Sequence, residues 1–399
     1  MQLSSSRFLR IALLVCVFAS SSAAGPGTIM AGVSDAGADA TIALILRDIN
    51  NNKLDAALMR TENLIKLYPN FRLAHLIRGD LLVARFAPLQ GFGNNAQING
   101  GKLGDLREEV IARIQGYAKR PQKEVPRYLL QMPESQKYAL VVDTQRSRLY
   151  VYRNDKGQPS FVSDYYISQG KAGANKTREG DNRTPIGVYH VTSHLPRAKL
   201  GDFYGVGAFP INYPNEWDRM NGRDGHGIWL HGVPSDTYSR PPKASEGCVV
   251  LTNEDLTSIS PLLQIGVTPV IISQEVEWQS FEAVQNDRQA LQAQIEAWRR
   301  DWESRDVEKY LSHYSPKFSS GDANFKTWAE QKRRVADAKT WIKVAVQNVS
   351  MLRNPGQQEI VVVEFDQDYR SNNLSGTTHK RQYWIKEAGD WKIIYEGSA

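Results

Sequence analysis

The central part of this chain is decided by one stretch of sequence, residues 228–251, which reads IWLHGVPSDTYSRPPKASEGCVVL. His231 ends an apolar run, as expected at the end of a buried strand, and Gly232 then allows a sharp exit that fixes the imidazole. A thiol attacks an acyl carbon as the thiolate, so Cys248 needs a base or a cation nearby. Gly247 lets the backbone approach a substrate, so that amide N–H groups can point at an oxyanion. This combination favours a nucleophilic cysteine over an inert turn of small residues beside a buried histidine.

The cysteine content agrees with that interpretation. The chain has two cysteines, and Cys16 lies within a predicted cleavable export signal over residues 1–24. That segment carries Arg7 and Arg10, a short apolar run and then small residues, which is the pattern of a secretory signal. We therefore expect a periplasmic protein in which Cys248 has no disulfide partner within the chain. Such a thiol is a nucleophile, an intermolecular bridge or an inert buried residue.

Length and charge narrow the class of protein. A chain of 399 residues is too long for one ordinary core, and two or three domains are expected. The formal net charge of +6 becomes +4 when Arg7 and Arg10 are removed with the export signal. This modest positive balance suits contact with an anionic cell envelope, although ordinary surface charge explains it more simply. The sequence lacks a dense Lys/Arg stripe with interleaved aromatic residues, so no nucleic-acid partner is expected. After residue 24 no apolar run is long enough to predict a transmembrane helix.

The N-terminal region is predicted to be helical. Apolar residues recur at helical spacing over residues 38–117, with a break at Tyr68-Pro69-Asn70 and a glycine-rich loop over 88–104. Two helices with proline at the break weakly resemble one tetratricopeptide-type unit, which cannot bury a solenoid core alone. We therefore expect a helical cap, or an element on which envelope proteins dock. A polar linker is expected over residues 118–136.

Two further domains are predicted after the linker. From Tyr138 the apolar residues follow strand spacing, which predicts a mostly-β domain over residues 137–274. Residues 283–399 begin with helical spacing around Trp298 and end in alternating strands, an α+β arrangement. Helices followed by a twisted antiparallel sheet resemble the cone of the nuclear transport factor two-like (NTF2-like) fold. The expected fold class is thus multidomain: an α-helical region, a mostly-β domain and an α+β cone.

Three motifs in the mostly-β region carry a resemblance to a known family. They are His231-Gly232, Ser245-x-Gly247-Cys248 and the upstream segment TPIGVY at residues 184–189. Together they resemble the L,D-transpeptidase catalytic domain, whose members are penicillin-insensitive cysteine enzymes of bacterial cell walls. The resemblance covers Tyr138–Ser273 and implies the fold and the chemistry of that domain.

The resemblance implies a role for each motif residue. Cys248 would be the nucleophile, and His231 would be its general base and later the acid that protonates the leaving amine. The carbonyl of Gly232 would orient the imidazole, while Ser245, Gly247 and the Cys248 amide would shape the oxyanion pocket. The implied substrate is the tetrapeptide stem of peptidoglycan, cleaved between meso-diaminopimelate and D-alanine through a thioester. Neither a cofactor nor a metal is implied.

The chain departs from the family pattern at two positions. Many members have His and Arg where this sequence has Glu246 and Val250. Glu246 would oppose thiolate formation unless its carboxylate points away from Cys248. Another cation would then hold the substrate carboxylates, and the candidates, for which ordinary surface charge is the simpler explanation, are Arg240, Lys243 and Arg183. His226, in a glycine-rich loop, is a candidate for a second pocket residue or merely decorates that loop.

Three functions are compatible with these residues. In an L,D-transpeptidase, an amine from another stem peptide or from a lysine of an envelope protein resolves the thioester. In an L,D-carboxypeptidase, water resolves it and a tripeptide remains; cell-shape enzymes that join this catalytic domain to an NTF2-like domain act in this way, and the chain resembles them in that pairing. The third function is that of a non-catalytic, wall-binding scaffold, against which the intact pair of Cys248 and His231 argues.

Overall fold

A computed structural model describes residues 35–88, 91–93, 100–118 and 123–399. The expected signal peptide, residues 1–24, lies outside the described residues, as do parts of the expected loop 88–104 and of the linker 118–136. The described chain forms a helical domain, a central β-rich domain and a C-terminal domain of helices and sheet, which confirms the predicted fold class. Within these ranges, no helix has both the length and the apolar character that crossing a membrane requires.

The helical domain is built from four helices within residues 35–88 and 100–118: α1 (Asp35–Asn50), α2 (Leu54–Leu67), α3 (Arg72–Val83) and α4 (Gly100–Ala118). α4 begins within the expected glycine-rich loop of residues 88–104, and Leu103 in its first turn packs against the chain at Gly93. A Cβ at Gly93 would lie 2.0 Å from Cδ1 of Leu103, and the φ angle of Gly93 is +75°, so this approach requires glycine. The domain core consists of apolar side chains at helical spacing, among them Ile42, Ile45, Leu64, Phe71, Ile77 and Leu81.

The segment expected to be a linker contains two short strands, β1 (Glu124–Pro126) and β2 (Leu129–Gln131). Tyr128 and Leu129 are buried in the contact between the central and C-terminal domains. The hydroxyl groups of Tyr128 and Ser273 share a hydrogen bond of 2.9 Å. The apolar run at 128–130 is short and lies in a polar segment, so the sequence does not predict a strand there. The strand forms because these residues contact residues that are distant in the sequence.

The strands of the central domain are β3 (Tyr138–Asp143), β4 (Arg148–Asp155), β5 (Gln158–Tyr166), β6 (Gln169–Gly170), β7 (Gly187–His190), β8 (Leu195–Pro196), β9 (Gly207–Pro210), β10 (Trp229–His231), β11 (Lys243–Ser245), β12 (Val249–Val250) and β13 (Pro269–Ser273). Its α-helices are α5 (Glu216–Met220) and α6 (Asn253–Ile259). One sheet has the strand order β5-β4-β3-β13-β7, and another has the order β12-β10-β9-β8. Side chains from both sheets meet in one core, which includes Leu140, Val151, Tyr189, Leu230, Val249 and Val270.

The C-terminal domain begins with the short strand β14 (Trp278–Ser280) and the helices α7 (Phe281–Ser304), α8 (Val307–Ser312) and α9 (Phe325–Asp337). Its remaining strands are β15 (Tyr314–Ser320), β16 (Ala323–Asn324), β17 (Ile342–Arg353), β18 (Ile360–Ser371), β19 (Ser375–Glu387) and β20 (Asp390–Ser398). Tyr314, which continues the helical spacing in the sequence, instead begins β15, since its ring is buried with Trp298 in the domain core. The sheet has the order β16-β15-β20-β19-β18-β17-β2, so a strand from the expected linker completes its edge.

The central and C-terminal domains share a mixed apolar and polar interface. The ring of Trp217 on α5 lies 6.1 Å from that of Tyr383 on β19. The carboxylate of Glu216 accepts hydrogen bonds from Arg381 at 3.1 Å and from the Tyr383 hydroxyl at 3.3 Å. His190 on β7 lies within 3.6 Å of Glu364 on β18. The two domains are therefore packed together through named side chains on both sides.

A buried cluster of charges joins the helical domain to the central domain. Asp39 on α1 pairs with Arg113 on α4 at 2.7 Å and also with Arg148 on β4. Arg148 also pairs with Asp164 on β5 at 2.6 Å, and Arg113 pairs with Glu109 at 3.0 Å. Burial disfavours the charged form of Arg148, but the carboxylates of Asp39 and Asp164 outweigh that effect and raise its pKa. The cluster places the Asp39 carboxylate between cations of two domains.

The substitution Asp39→Asn should destabilise the protein. It removes a charge from between two buried guanidinium groups, and breaking a buried ion pair costs about 3–5 kcal/mol. Because Arg148 keeps Asp164 and Arg113 keeps Glu109, we expect a loss near or below the lower end of that range. Urea unfolding followed by circular dichroism should show a lower midpoint for the helical signal. The matched control is Asp55→Asn, because Asp55 pairs with Arg85 at 2.6 Å but its side chain is 90% exposed. Equal midpoints for the two variants would contradict the structural importance of the buried cluster.

Candidate active site

The position of Cys248 relative to His231 follows from the pairing of β10 with β12. These strands are parallel, with Leu230 opposite Val249 and His231 opposite Val250. Cys248 directly precedes β12 and therefore lies beside Trp229. Opposite residues in a ladder share a face, and alternate residues of a strand point to the same side, so Cys248 and His231 lie on one face. Trp229 shares this face, since it lies opposite Cys248 and two residues before His231.

The imidazole of His231 is held by the backbone. His231 is buried, and its Nδ1 lies 2.7 Å from the carbonyl oxygen of Gly232. A carbonyl only accepts, so Nδ1 carries the proton and Nε2 is left as the basic nitrogen. The ring also packs against two aromatic rings, with centroids 5.1 Å away at Tyr204 and 5.9 Å away at Phe203. The tautomer needed for a general base at Nε2 is thus set by one hydrogen bond.

Asn253 fixes the exit from β10, and the sequence analysis missed it. Its Oδ1 accepts from the N–H of Val206 at 3.1 Å and of Val233 at 3.2 Å, and its Nδ2 donates to the Val233 carbonyl at 2.8 Å. A Cβ at Gly232 would lie 2.2 Å from the same Oδ1, so the close approach requires glycine at that position. In the sequence, Asn253 looks like any polar residue at the start of a helix, and it carries no separate signal.

Burial keeps both candidate catalytic groups neutral. Burial raises the pKa of Cys248 to about 11, although the Trp229 amide and the charge of Arg240 favour the thiolate. Burial also lowers the pKa of His231 to about 4, and the charge of Arg240 acts in the same direction, whereas the hydrogen bond that Nδ1 donates to the Gly232 carbonyl opposes both. Neutral thiol and neutral imidazole are therefore the resting forms at pH 7.

The turn before Cys248 is closed by its own hydrogen bonds. The Ser245 hydroxyl donates to the carbonyl of Cys248 at 2.6 Å and accepts from the N–H of Gly247 at 3.1 Å. Gly247 has a φ angle of +128°, and a Cβ there would lie 2.7 Å from the carbonyl oxygen of Arg183. Ser245 and Gly247 therefore shape the turn, and their polar groups are already used. No described residue accepts a hydrogen bond from the Cys248 N–H, which leaves this amide as the candidate oxyanion donor.

Of the predicted cations, the structure brings Arg240 to the site. Its guanidinium lies over the ring of Phe203, 4.4 Å from the centroid, and Phe203 in turn packs near His231. Lys243 is exposed on β11. Arg183 is also exposed, and its Nη1 donates to the carbonyl of Ala174 at 2.9 Å.

Three further charged groups lie around the site. His226 is largely exposed, and its Nδ1 lies 3.7 Å from the carboxylate of Glu179. Glu246 also faces solvent and lies 3.4 Å from Lys171, so its carboxylate is directed to another cation. Lys176, which the sequence analysis did not select, is almost fully buried, donates to Asp181 at 2.9 Å and favours the Cys248 thiolate.

Val250, the second departure from the family pattern, lies beside His231. Val250 is buried, pairs with His231 in the ladder and forms a further bridge with Ser168 through hydrogen bonds of 2.9 Å in both directions. Since Val250 lies opposite His231, it shares the face of Cys248 and His231, and an arginine there would reach toward the site. Among the described residues, no group of three or more His, Cys, Asp and Glu side chains is arranged to hold a metal ion.

Comparison with known proteins places two of the three domains in families. Residues 137–272 match the L,D-transpeptidase catalytic domain, and residues 290–397 match the Cds6 C-terminal NTF2-like domain. No curated protein sequence matches the chain.

Two solved structures are similar over most of their own length. Bd1075 from Bdellovibrio bacteriovorus has 29% identity and a TM-score of 0.62, covering 69% of this chain and 98% of Bd1075. The helical cell shape determining protein Pgp2 from Campylobacter jejuni has 24% identity and a TM-score of 0.59, covering 69% of this chain and 96% of Pgp2, and shows the shared fold. The family resemblance drawn from the motifs is thereby confirmed. The chain therefore joins a region that matches the L,D-transpeptidase catalytic domain to a region that matches the Cds6 C-terminal NTF2-like domain.

Proposed function

We propose that the protein acts on the tetrapeptide stem of peptidoglycan and that Cys248 forms a thioester with the carbonyl of meso-diaminopimelate, releasing D-alanine. The observation that carries this proposal is the common face of Cys248 and His231, with the His231 tautomer set by the Gly232 carbonyl. The family of the catalytic domain, whose enzymes modify peptidoglycan, supports the substrate. The export expected from residues 1–24 would place the reaction in the periplasm.

The neutral resting pair defines the proton transfers. Nε2 of His231 takes the thiol proton while the sulfur attacks, and the Gly232 carbonyl, through Nδ1–H, stabilises the imidazolium that forms. The N–H of Cys248 donates to the oxyanion. The imidazolium then protonates the departing amine of D-alanine as the carbon–nitrogen bond breaks. In the second half, the acceptor attacks the thioester, its proton passes to His231, and the thiol is restored.

The substrate carries carboxylates, and Arg240 is the cation placed to bind one. Its guanidinium is half-buried on the Phe203 ring, beside the imidazole. A planar guanidinium can bind a carboxylate through two hydrogen bonds. Lys243, Arg183 and His226 are then candidates only for outer contacts with the stem, since each is exposed.

The acceptor decides which of two reactions follows from the thioester. The catalytic-domain family makes L,D-transpeptidation the first candidate, with the amine of another stem peptide or of an envelope protein as acceptor. L,D-carboxypeptidation, with water as acceptor, is the second candidate. It is favoured by the similarity, across both domains, to a protein described as determining helical cell shape.

Disaccharide-tetrapeptide muropeptides, incubated with the full chain and separated by mass, test the proposal. Cross-linked dimers identify the transpeptidase, and tripeptide with free D-alanine identifies the carboxypeptidase. Cys248→Ala should lower conversion by roughly 10⁴-fold or more, because the nucleophile is lost. Glu246→Gln is the matched control, since its carboxylate is directed to Lys171, and it should retain activity. If wild type and Cys248→Ala are equally inactive, a wall-binding scaffold replaces the proposal.

The pH dependence of alkylation tests the neutral pair. Because the pKa of Cys248 is raised to about 11, the thiolate fraction should grow about tenfold per pH unit between pH 7 and 9. The rate at which iodoacetamide modifies Cys248, followed by peptide mass, should rise accordingly and without a plateau. A constant rate from pH 5 to 9 would instead show a thiolate–imidazolium pair and would contradict the neutral resting state.

A further inference from the structure

The segment that carries Arg240 is embedded in the helical domain. We call residues 233–240, between β10 and β11, the Arg240 segment. The ring of Tyr238 within it lies 4.4 Å from that of Tyr68 and 4.5 Å from that of Phe71. Tyr238 is 5% exposed and belongs to the same apolar core as helices α1–α4. A side chain of the catalytic domain thus forms part of the core of its neighbour.

Polar contacts hold the same segment on both sides of Tyr238. The Ser239 hydroxyl donates to the carboxylate of Glu109 on α4 at 2.6 Å, and Glu109 is itself buried and paired with Arg113. At the other end of the segment, the Asn70 side chain donates to the carbonyl of Ser235 at 3.2 Å. The helical domain therefore contacts the segment at three of its residues.

The backbone of Arg240 is held by a residue that also contacts the helical domain. The Tyr166 hydroxyl donates to the carbonyl oxygen of Arg240 at 2.9 Å. The guanidinium of Arg113 on α4 lies over the Tyr166 ring, 4.1 Å from its centroid. Arg113 also forms the ion pair with Asp39. The buried charge cluster is therefore in direct contact with Tyr166, the residue that holds the Arg240 backbone.

The other end of Arg240 faces the active site. Its guanidinium rests on Phe203, and Nη2 is 3.4 Å from the Phe203 carbonyl. The preceding residue, Asp202, accepts from both the N–H and the hydroxyl of Ser235 at 3.1 and 3.0 Å. The loop that supports the guanidinium is therefore tied to the Arg240 segment as well. A long side chain held in this way has already lost much of the freedom that binding a carboxylate would otherwise remove.

We propose that the helical domain is a positioning element of the active site: by anchoring Tyr238 and Ser239, it holds the Arg240 guanidinium beside Cys248 to receive an anionic group. The role of that cation toward stem-peptide carboxylates rests on the proposed function. The position of the Arg240 guanidinium near Cys248 is independent of the proposed function, because a small anionic reagent probes that position directly. The helical domain lies outside both regions that match known families, 137–272 and 290–397, and this role would give it a place in the chemistry.

The test compares the rates at which iodoacetate and iodoacetamide alkylate Cys248 in the full chain at pH 8. The reagents differ in charge, so the ratio of their rates reports a cation near the thiol. Arg240→Gln should lower the iodoacetate-to-iodoacetamide ratio by about 3–10-fold, and Tyr238→Ala should lower it by at least about threefold. Phe86→Ala, which removes a ring that is 90% exposed in the same domain, should leave the ratio unchanged.

The double variant Tyr238→Ala/Arg240→Gln should show no lower ratio than Arg240→Gln alone, because both changes act through one cation. An unchanged ratio in Tyr238→Ala, or in Arg240→Gln, would overturn the proposal. If Tyr238→Ala does not fold, Ser239→Ala removes one anchor and should lower the ratio in the same direction; an unchanged ratio there would equally overturn it. The alkylation test uses no peptidoglycan. Its outcome is therefore independent of the muropeptide assay, and either proposal can fail while the other stands.

Discussion

Leu230 and Val249 face each other in a parallel ladder whose side chains are part of the core of the catalytic domain. A slip of one residue would turn Leu230 out of that core, so the register is enforced by burial. The same register determines which residues of the two strands share a face, and thereby brings the thiol and the imidazole together. The hydrogen bonds of Ser245, the left-handed backbone at Gly247 and the anchoring by Asn253 all act on the ends of these two strands. These contacts refine the positions of Cys248 and His231, which the pairing of β10 with β12 determines.

Burial of the candidate site has two opposite effects on its chemistry. His231 is buried and Cys248 is half-buried, and a site with less water strengthens a single N–H donor to an oxyanion. Burial also keeps the Cys248 thiol and the His231 imidazole neutral, so in the proposed mechanism the thiolate forms only during the attack. The charges of Lys176 and Arg240 oppose the effect of burial on the pKa of Cys248 without cancelling it. An anionic substrate would cover Arg240 and reduce its effect, whereas Lys176 is already committed to Asp181. Substrate binding would therefore change the effect of Arg240 on Cys248 but not that of Lys176.

Much of the site and of the fold class could be predicted from the sequence, because the motif residues are close in the chain and their chemistry is local. Cys248, His231 and the change from helical to strand spacing near Tyr138 are of this kind. Asn253 and Lys176 could not be selected, since each resembles an ordinary polar surface residue until the chain is folded. Tyr238 is a similar case: its neighbours in space are Tyr68 and Phe71, far away in sequence. The short apolar run at 128–130 became a strand only because β17 offers it an edge.

That strand changes how the domains depend on one another. β2 precedes the catalytic domain in the chain, yet it pairs with β17 and completes the sheet of the C-terminal domain. As the chain leaves the ribosome, the catalytic domain emerges with β2 still unpaired, and its partner arrives only when residues 342–353 have been made. The edge strand of the C-terminal sheet is therefore synthesised before the rest of that sheet. In the order of the chain, the catalytic domain is an insertion between two strands of the C-terminal domain. Cutting the chain between the two family-matched regions would separate β17 from β2 and leave an open sheet edge.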